Sequence, residues 1–185
     1  MVELQNLSVT RLRREGLKPV RFLTRDEEAA IFAAIQRQSE RYFDLSIFLV
    51  DTGARLGEAL TLGWRGVTLN HLTFERGKPL VARVIPITHR ATIAVQRQST
   101  DRLGPFSDVK PHDYRAVWNV AKQEAGISDP GVVPTVLRHT CAVRLIQGGI
   151  DLRTVQKWLG HQSLAMTMRY AQYASTDLEA CVRVL

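Results

Sequence analysis

Cysteine is scarce in this chain. Cys141 and Cys181 are too few and too scattered for a disulfide framework or a thiolate zinc site. The histidines at 71, 89, 112, 139 and 161 show no metal-ligand spacing, so no metal and no cofactor is expected. No apolar run approaches membrane-spanning length, and the opening MVELQNLSVTRLRRE lacks the apolar core of a secretory signal. A soluble, intracellular chain without a membrane partner is the expectation. Low-complexity runs and internal repeats are also missing. With 45% hydrophobic residues in a length of 185, that favours one folded domain large enough to bury a core.

What the chain does have is positive charge. The formal net charge is +7, from 25 Lys and Arg against 18 Asp and Glu. Such an excess favours a polyanionic partner, with nucleic acid the leading candidate, although a merely basic surface gives the same count. Arg11, Arg13, Arg14, Lys18 and Arg21 crowd the first segment, interrupted by Gly16 and Pro19. Residues 1–22 therefore read as an irregular basic linker. They are either solvated surface or a stretch that tracks a DNA backbone.

The rest, 23–185, reads as mainly helical. Thr24 and Glu27 form a capping box for a helix to about Gln38, and a second helix runs from Arg41 to Thr52 and stops at Gly53. A short helix spans Arg55–Leu62. Alternating β-branched residues predict antiparallel strands at Val67–Glu75 and Val81–Ile87 around a Gly77-Lys78-Pro79 turn, the one small sheet. Helices follow at His89–Gln98 and His112–Ala125, and a Pro- and Gly-rich break occupies Ile127–Pro134. Four short helices finish the chain: Thr135–Gln147, Leu152–Leu159 capped by Asp151, Leu164–Ala174 capped by Ser163, and a last one begun by Thr176 and Glu179.

Chemistry concentrates near the C-terminus. Arg138, His161 and Tyr170 supply a bidentate phosphate clamp, a hydrogen-bond donor and a nucleophile, and Arg55 is a second clamp further upstream. Together on a basic chain they suggest attack on a nucleic-acid phosphodiester. Each also has a plain structural reading. Arg55 could simply pair with Glu58 at i+3, His161 could cap a helix end, and Tyr170 and Tyr173 could both be filler on one helical face.

The stretches TGARLGEALTLGW, LRHT and LGHQSLAMTMRYAQYA closely resemble the catalytic domain of tyrosine recombinases, especially phage integrases. The likeness runs from about Thr24 to the C-terminus. It implies the integrase-type catalytic fold, double-stranded DNA as partner, and site-specific recombination through a 3′-phosphotyrosyl intermediate without metal or ATP. It also implies the cytoplasm of a bacterial host as the place of action, with a phage or mobile element as the source. Carried over residue by residue, Arg55 and Arg138 match the two arginines on the scissile phosphate, and His161 matches the phosphate-binding histidine. Tyr170 matches the nucleophile, with Tyr173 as its rival. Lys78 in the hairpin turn matches the general acid; Arg76 or Arg83 could have taken that role instead.

One position departs from the family. Histidine usually stands three residues before the second arginine, and here it is Thr135, a poor general base. His139 lies one turn further on, where the family also carries a histidine that the resemblance treats as packing. Catalytic competence is therefore open. The resemblance further implies that residues 1–22 lead from a separate DNA-binding domain for which this chain has no room. It also implies that Leu178–Leu185 docks on a partner subunit in a homo-oligomer on DNA. Arg138 is expected to serve the transition state, so that removing it leaves the fold nearly intact. The alternatives are a weak or inactive DNA-binding relative, favoured by Thr135, and a helix-turn-helix regulator, which gives Arg55 and Tyr170 no purpose.

Overall fold

The computed structural model describes residues 19–76 and 81–174. Helix α1 (Arg25–Gln38) begins at the expected capping box: the Thr24 hydroxyl accepts from the Glu27 N–H at 3.1 Å, and the Glu27 carboxylate accepts from the Thr24 N–H at 2.9 Å. Helix α2 (Glu40–Thr52) buries Leu45, Ile47, Phe48, Leu49 and Val50, so it lies in the middle of the molecule with α1 against it. It ends at Gly53, whose φ of 63° is the left-handed cap that favours glycine. After α3 (Leu56–Thr61) and a short 3-10 turn come strands β1 (His71–Arg76) and β2 (Val81–Pro86), paired antiparallel with Leu72 opposite Ile85 and Phe74 opposite Arg83.

The first strand starts later than its β-branched pattern suggests. Val67 bridges directly to Leu72, and between them the Thr68 N–H donates to the His71 carbonyl while the Thr68 hydroxyl accepts from the His71 N–H, both at 3.0 Å. Residues 67–70 are thus one arm and the tip of a tight reversal. A threonine bonding to the backbone around Asn70 outweighs strand propensity there.

Helices α4 (His89–Gln96), capped by Thr88, and α6 (Val136–Gln147) also pack on α2, while α5 (Pro111–Glu124) lies on α1. Helix α7 (Leu152–Leu159) starts at the Asp151 cap and stops at Gly160, φ 65°. The main core joins α1, α2, α5 and the sheet. A second, smaller core is built from Val20, Ala142, Val143, Ile146, Val155, Leu159 and Tyr170. Val20 belongs to that core, so the packed body already includes residues placed in the linker by sequence.

The expected helix over 164–174 does not form as one piece. Helix α8 covers only Ala165–Met168 and is not capped by Ser163; after a turn, Ala171–Tyr173 is 3-10. The Tyr170 N–H bonds to the Thr167 carbonyl at 2.9 Å and the Tyr173 N–H to the Tyr170 carbonyl at 3.0 Å, both three residues back. In a 3-10 turn residues i and i+3 eclipse. That geometry brings Tyr170 and Tyr173 onto one side, where both pack on the second core. The expected last helix and the hairpin turn fall at 175–185 and 77–80, outside the described residues.

Candidate active site

Arg138 sits in the first turns of α6 and is only 7% exposed. Its Nη1 donates to the Gly53 carbonyl at 2.6 Å and its Nη2 to the Leu159 carbonyl at 2.7 Å. Those carbonyls lie at the C-terminal ends of α2 and α7, where unpaired oxygens carry the negative end of each helix dipole. Gly53 makes this possible, because a Cβ there would come within 2.7 Å of Leu159 Cδ2. Burial, followed by the charge of Arg55, brings the Arg138 pKa down to about 10, which still leaves it charged at neutral pH. These bonds run against the expectation that removing Arg138 leaves the fold nearly intact: the side chain joins three helices.

Glu58 is the carboxylate of the site. Its Oε1 accepts from Arg55 Nη1 at 2.8 Å, and its Oε2 accepts from the Arg55 N–H and from Arg83 Nη2, each at 2.9 Å. Arg138 Nη1 lies 3.9 Å from the same oxygen. Burial pushes the Glu58 pKa up, but the Arg55 N–H and the Arg83 and Arg55 guanidinium groups outweigh it, and the net shift is down. The i+3 pairing of Arg55 and Glu58 is therefore real, and it holds the arginine at the edge of the cleft described below. Arg83, on β2, also donates to the Trp158 carbonyl at 2.7 Å and lies 4.5 Å over the Phe74 ring. It fastens the hairpin to the site.

His161 follows the Gly160 cap. Its Nδ1 is 2.8 Å from the Thr167 hydroxyl, and its ring stacks on Tyr170, with 7° between planes and 6.4 Å between centroids. With Thr167 donating, the tautomer leaves Nε2–H as a donor. Burial, then Arg138 and Arg55, pulls the His161 pKa down to about 4. Tyr170 is 1% exposed, and its hydroxyl is 2.8 Å from His139 Nδ1. Burial raises the phenol pKa, against the lowering pull of Arg138 and Arg169. The hydroxyl of its rival is engaged outside this group: Tyr173 donates to the Val20 carbonyl at 2.8 Å.

A cleft of about 830 Å³ gathers Arg55, Thr135, Arg138, His139, His161 and Tyr170 along its lining. Five of the six residues placed in the catalytic set from sequence thus share one concavity, Thr135 among them, although the threonine side chain caps nothing. Lys78 lies outside the described residues, as do Arg11, Arg13, Arg14 and Lys18. Arg21 is described and is not a free phosphate ligand: it pairs with Glu27 and, at 2.8 Å, with Asp129. An arginine whose fork is filled by two carboxylates has little left for DNA, which the sequence run of basic residues did not reveal.

Sequence reasoning missed three side chains. His139 was set aside as packing, yet it is four residues beyond Thr135 and so shares its helix face, a spacing that could have found it. Arg115 and Arg169 add positive charge to the cleft lining and had no motif to mark them.

Comparison with known proteins identifies the family of this fold. The model of the phage integrase family matches residues 21–176. Among curated relatives, the tyrosine recombinase XerD of Bifidobacterium longum is 32% identical over 152 residues, covering 71% of this chain and 49% of that protein. The chain spans about half the length of the curated relatives it matches. The catalytic domain of bacteriophage HP1 integrase superposes with a TM-score of 0.73 at 30% identity, covering 89% of this chain and 94% of that one. The Tn1549 transposon integrase, solved in complex with circular intermediate DNA, shares the fold at a TM-score of 0.65 and 17% identity, over 90% of this chain and 66% of that one.

Proposed function

Since this chain belongs to the phage integrase family, we propose that it breaks and rejoins DNA strands in site-specific recombination, using Tyr170 as nucleophile. The observation that carries this is the convergence of Tyr170, Arg55, Arg138 and His161 on one cleft. The two guanidinium groups and His161 Nε2–H neutralise the phosphoryl oxygens as charge builds in the pentacovalent transition state. The Tyr170 oxygen forms a bond to phosphorus, the bond to the 5′ oxygen breaks, and Lys78 supplies the proton that this oxygen takes as it leaves. The phosphotyrosyl link keeps the bond energy, so the reverse attack by a 5′-hydroxyl reseals the strand without a cofactor. Arg83 supports the role given to Lys78, because it holds β2 against Glu58 and the end of α7.

The basic segment with Arg11, Arg13, Arg14 and Lys18 would follow the DNA backbone ahead of the catalytic body at 23–185, and the substrate would place the protein in the bacterial cytoplasm. Leu178–Leu185 would dock on a second copy; light scattering on protein lacking 177–185 tests this, and an unchanged mass would sink it. Thr135 supports a second reading, a DNA-binding relative with weak or no cleavage, because no histidine occupies that position. Incubation with a pool of nicked duplexes of randomised sequence separates the two. A covalent protein–DNA band, absent in Tyr170→Phe, is the expected result. DNA binding without any band would favour the inactive relative.

A further inference from the structure

The base expected at position 135 is missing, and the structure offers another. The Tyr170 hydroxyl lies 2.8 Å from His139 Nδ1, a hydrogen bond between α6 and the turn after α8. The two rings are 5.9 Å apart and inclined by 51°, so the contact is edge-directed hydrogen bonding and not stacking. His139 shares its cleft with Thr135, one helical turn before it. A histidine here can reach from α6 to the phenol, which the short Thr135 side chain does not replace.

We propose that His139 is a catalytic residue of this chain: it takes the phenolic proton of Tyr170 as the tyrosine attacks phosphorus, and returns it when the strand is resealed. The inference rests on Tyr170 being the nucleophile. The balance is simple. The O–H bond of Tyr170 breaks as its O–P bond forms, the proton moves to His139 Nδ1, and the 5′ oxygen leaves with a separate proton from the acid assigned to Lys78.

The surroundings make this base dependent on substrate. Burial, then Arg169 and Arg138, brings the His139 pKa down to about 4, so in the empty cleft it is neutral; with the Tyr170 hydroxyl donating, the ring proton sits on Nε2 and Nδ1 accepts. The other charged or titratable groups on the cleft are Arg55, Arg115, His161 and Tyr170, and Glu58 beside them is already engaged by Arg55 and Arg83. Every fixed charge facing His139 from the lining is therefore positive. A DNA phosphate entering between them brings the missing negative charge, which favours the imidazolium. His139 becomes a stronger base only when there is a phosphate to attack.

The experiment uses the duplex recovered in the covalent-capture assay, in two forms: one with the normal 5′ oxygen at the scissile bond, and one with sulfur there. Sulfur leaves without protonation, so it restores variants that lack the acid but not those that lack the base. Wild-type protein must form the adduct; its failure would defeat the nucleophile assignment itself and this proposal with it. His139→Gln is expected to cut about 10²- to 10⁴-fold more slowly, unrescued by sulfur, whereas sulfur restores Lys78→Ala. Loss within roughly 3-fold of wild type, far below a general-base contribution, would overturn the proposal, and so would rescue of His139→Gln by sulfur. Should His139→Gln fail to fold, nitrogen-15 NMR of the histidines in Tyr170→Phe decides: DNA binding should raise the His139 pKa, and an unmoved value would overturn the assignment.

Discussion

The Tyr173 hydroxyl donates to the Val20 carbonyl at 2.8 Å, and the Phe22 ring meets the Tyr173 ring edge-on at 5.3 Å. The strand of chain that enters the domain is thus bonded to the turn that carries Tyr170, three residues away. The two tyrosines should separate cleanly on mutation. Tyr173→Phe leaves a carbonyl without its partner and should cost about 0.5–1.5 kcal/mol, seen as a lower melting temperature, while the covalent adduct still forms. Tyr170→Phe should form no adduct and keep its DNA affinity. The reverse pattern would transfer the nucleophile to Tyr173.

Arg138→Ala should lose cleavage and stability together. In the proposed mechanism it strips the phosphate of a clamp, and it leaves the Gly53 and Leu159 carbonyls buried and unpaired, at about 1–3 kcal/mol each. Chemical denaturation alongside the adduct assay tests this, and a variant as stable as wild type would show that the two bonds contribute nothing.

Acid should weaken the fold before it titrates the carboxylates. His139 and His161 have folded pKa values of about 4 against an ordinary 6.5. Between those values the unfolded chain binds protons that the folded chain refuses, so their contribution is complete above 6.5 and is lost as pH falls towards 4. Glu58, shifted downward, adds a loss at still lower pH. Melting temperatures measured without DNA should fall across that window, and His139→Gln should flatten the curve. A wild-type curve that is level from neutral to pH 5 would contradict the buried, neutral state of both rings.

DNA affinity should decline steeply with salt, in proportion to the phosphates whose counterions are released. Fluorescence anisotropy at several salt concentrations reads the slope. An affinity indifferent to salt would count against DNA as the partner.

Local chemistry was the legible part of this sequence. Thr24 with Glu27, Gly53, Asp151 and Gly160 each act through neighbours in the chain, and each begins or ends its helix where sequence places it. The motif residues Arg55, Arg138, His161 and Tyr170 were legible because family resemblance ties their identities to a shared site. What stayed hidden depended on partners distant in sequence. Arg21 looked like a free cation until Asp129, 108 residues away, came to face it. The helix over 164–174 looked continuous because nothing local announces that a second core would draw in both tyrosines. The place of His139 on the helix face of Thr135 was legible, but its hydrogen bond was not, because the partner is 31 residues downstream.

The two carbonyl bonds of Arg138 also bear on how this protein could be improved. Enzymes commonly trade activity against stability, because the active site holds groups that the fold would rather not bury. Here the groups that immobilise the guanidinium are the capped ends of α2 and α7, which are themselves parts of the core. In the proposed role, its rotational freedom is surrendered once, when the chain folds, and not again at each encounter with DNA. Selection for heat resistance that tightens those two helix ends should therefore leave the clamp better held, so hardening and turnover would rise together around this residue.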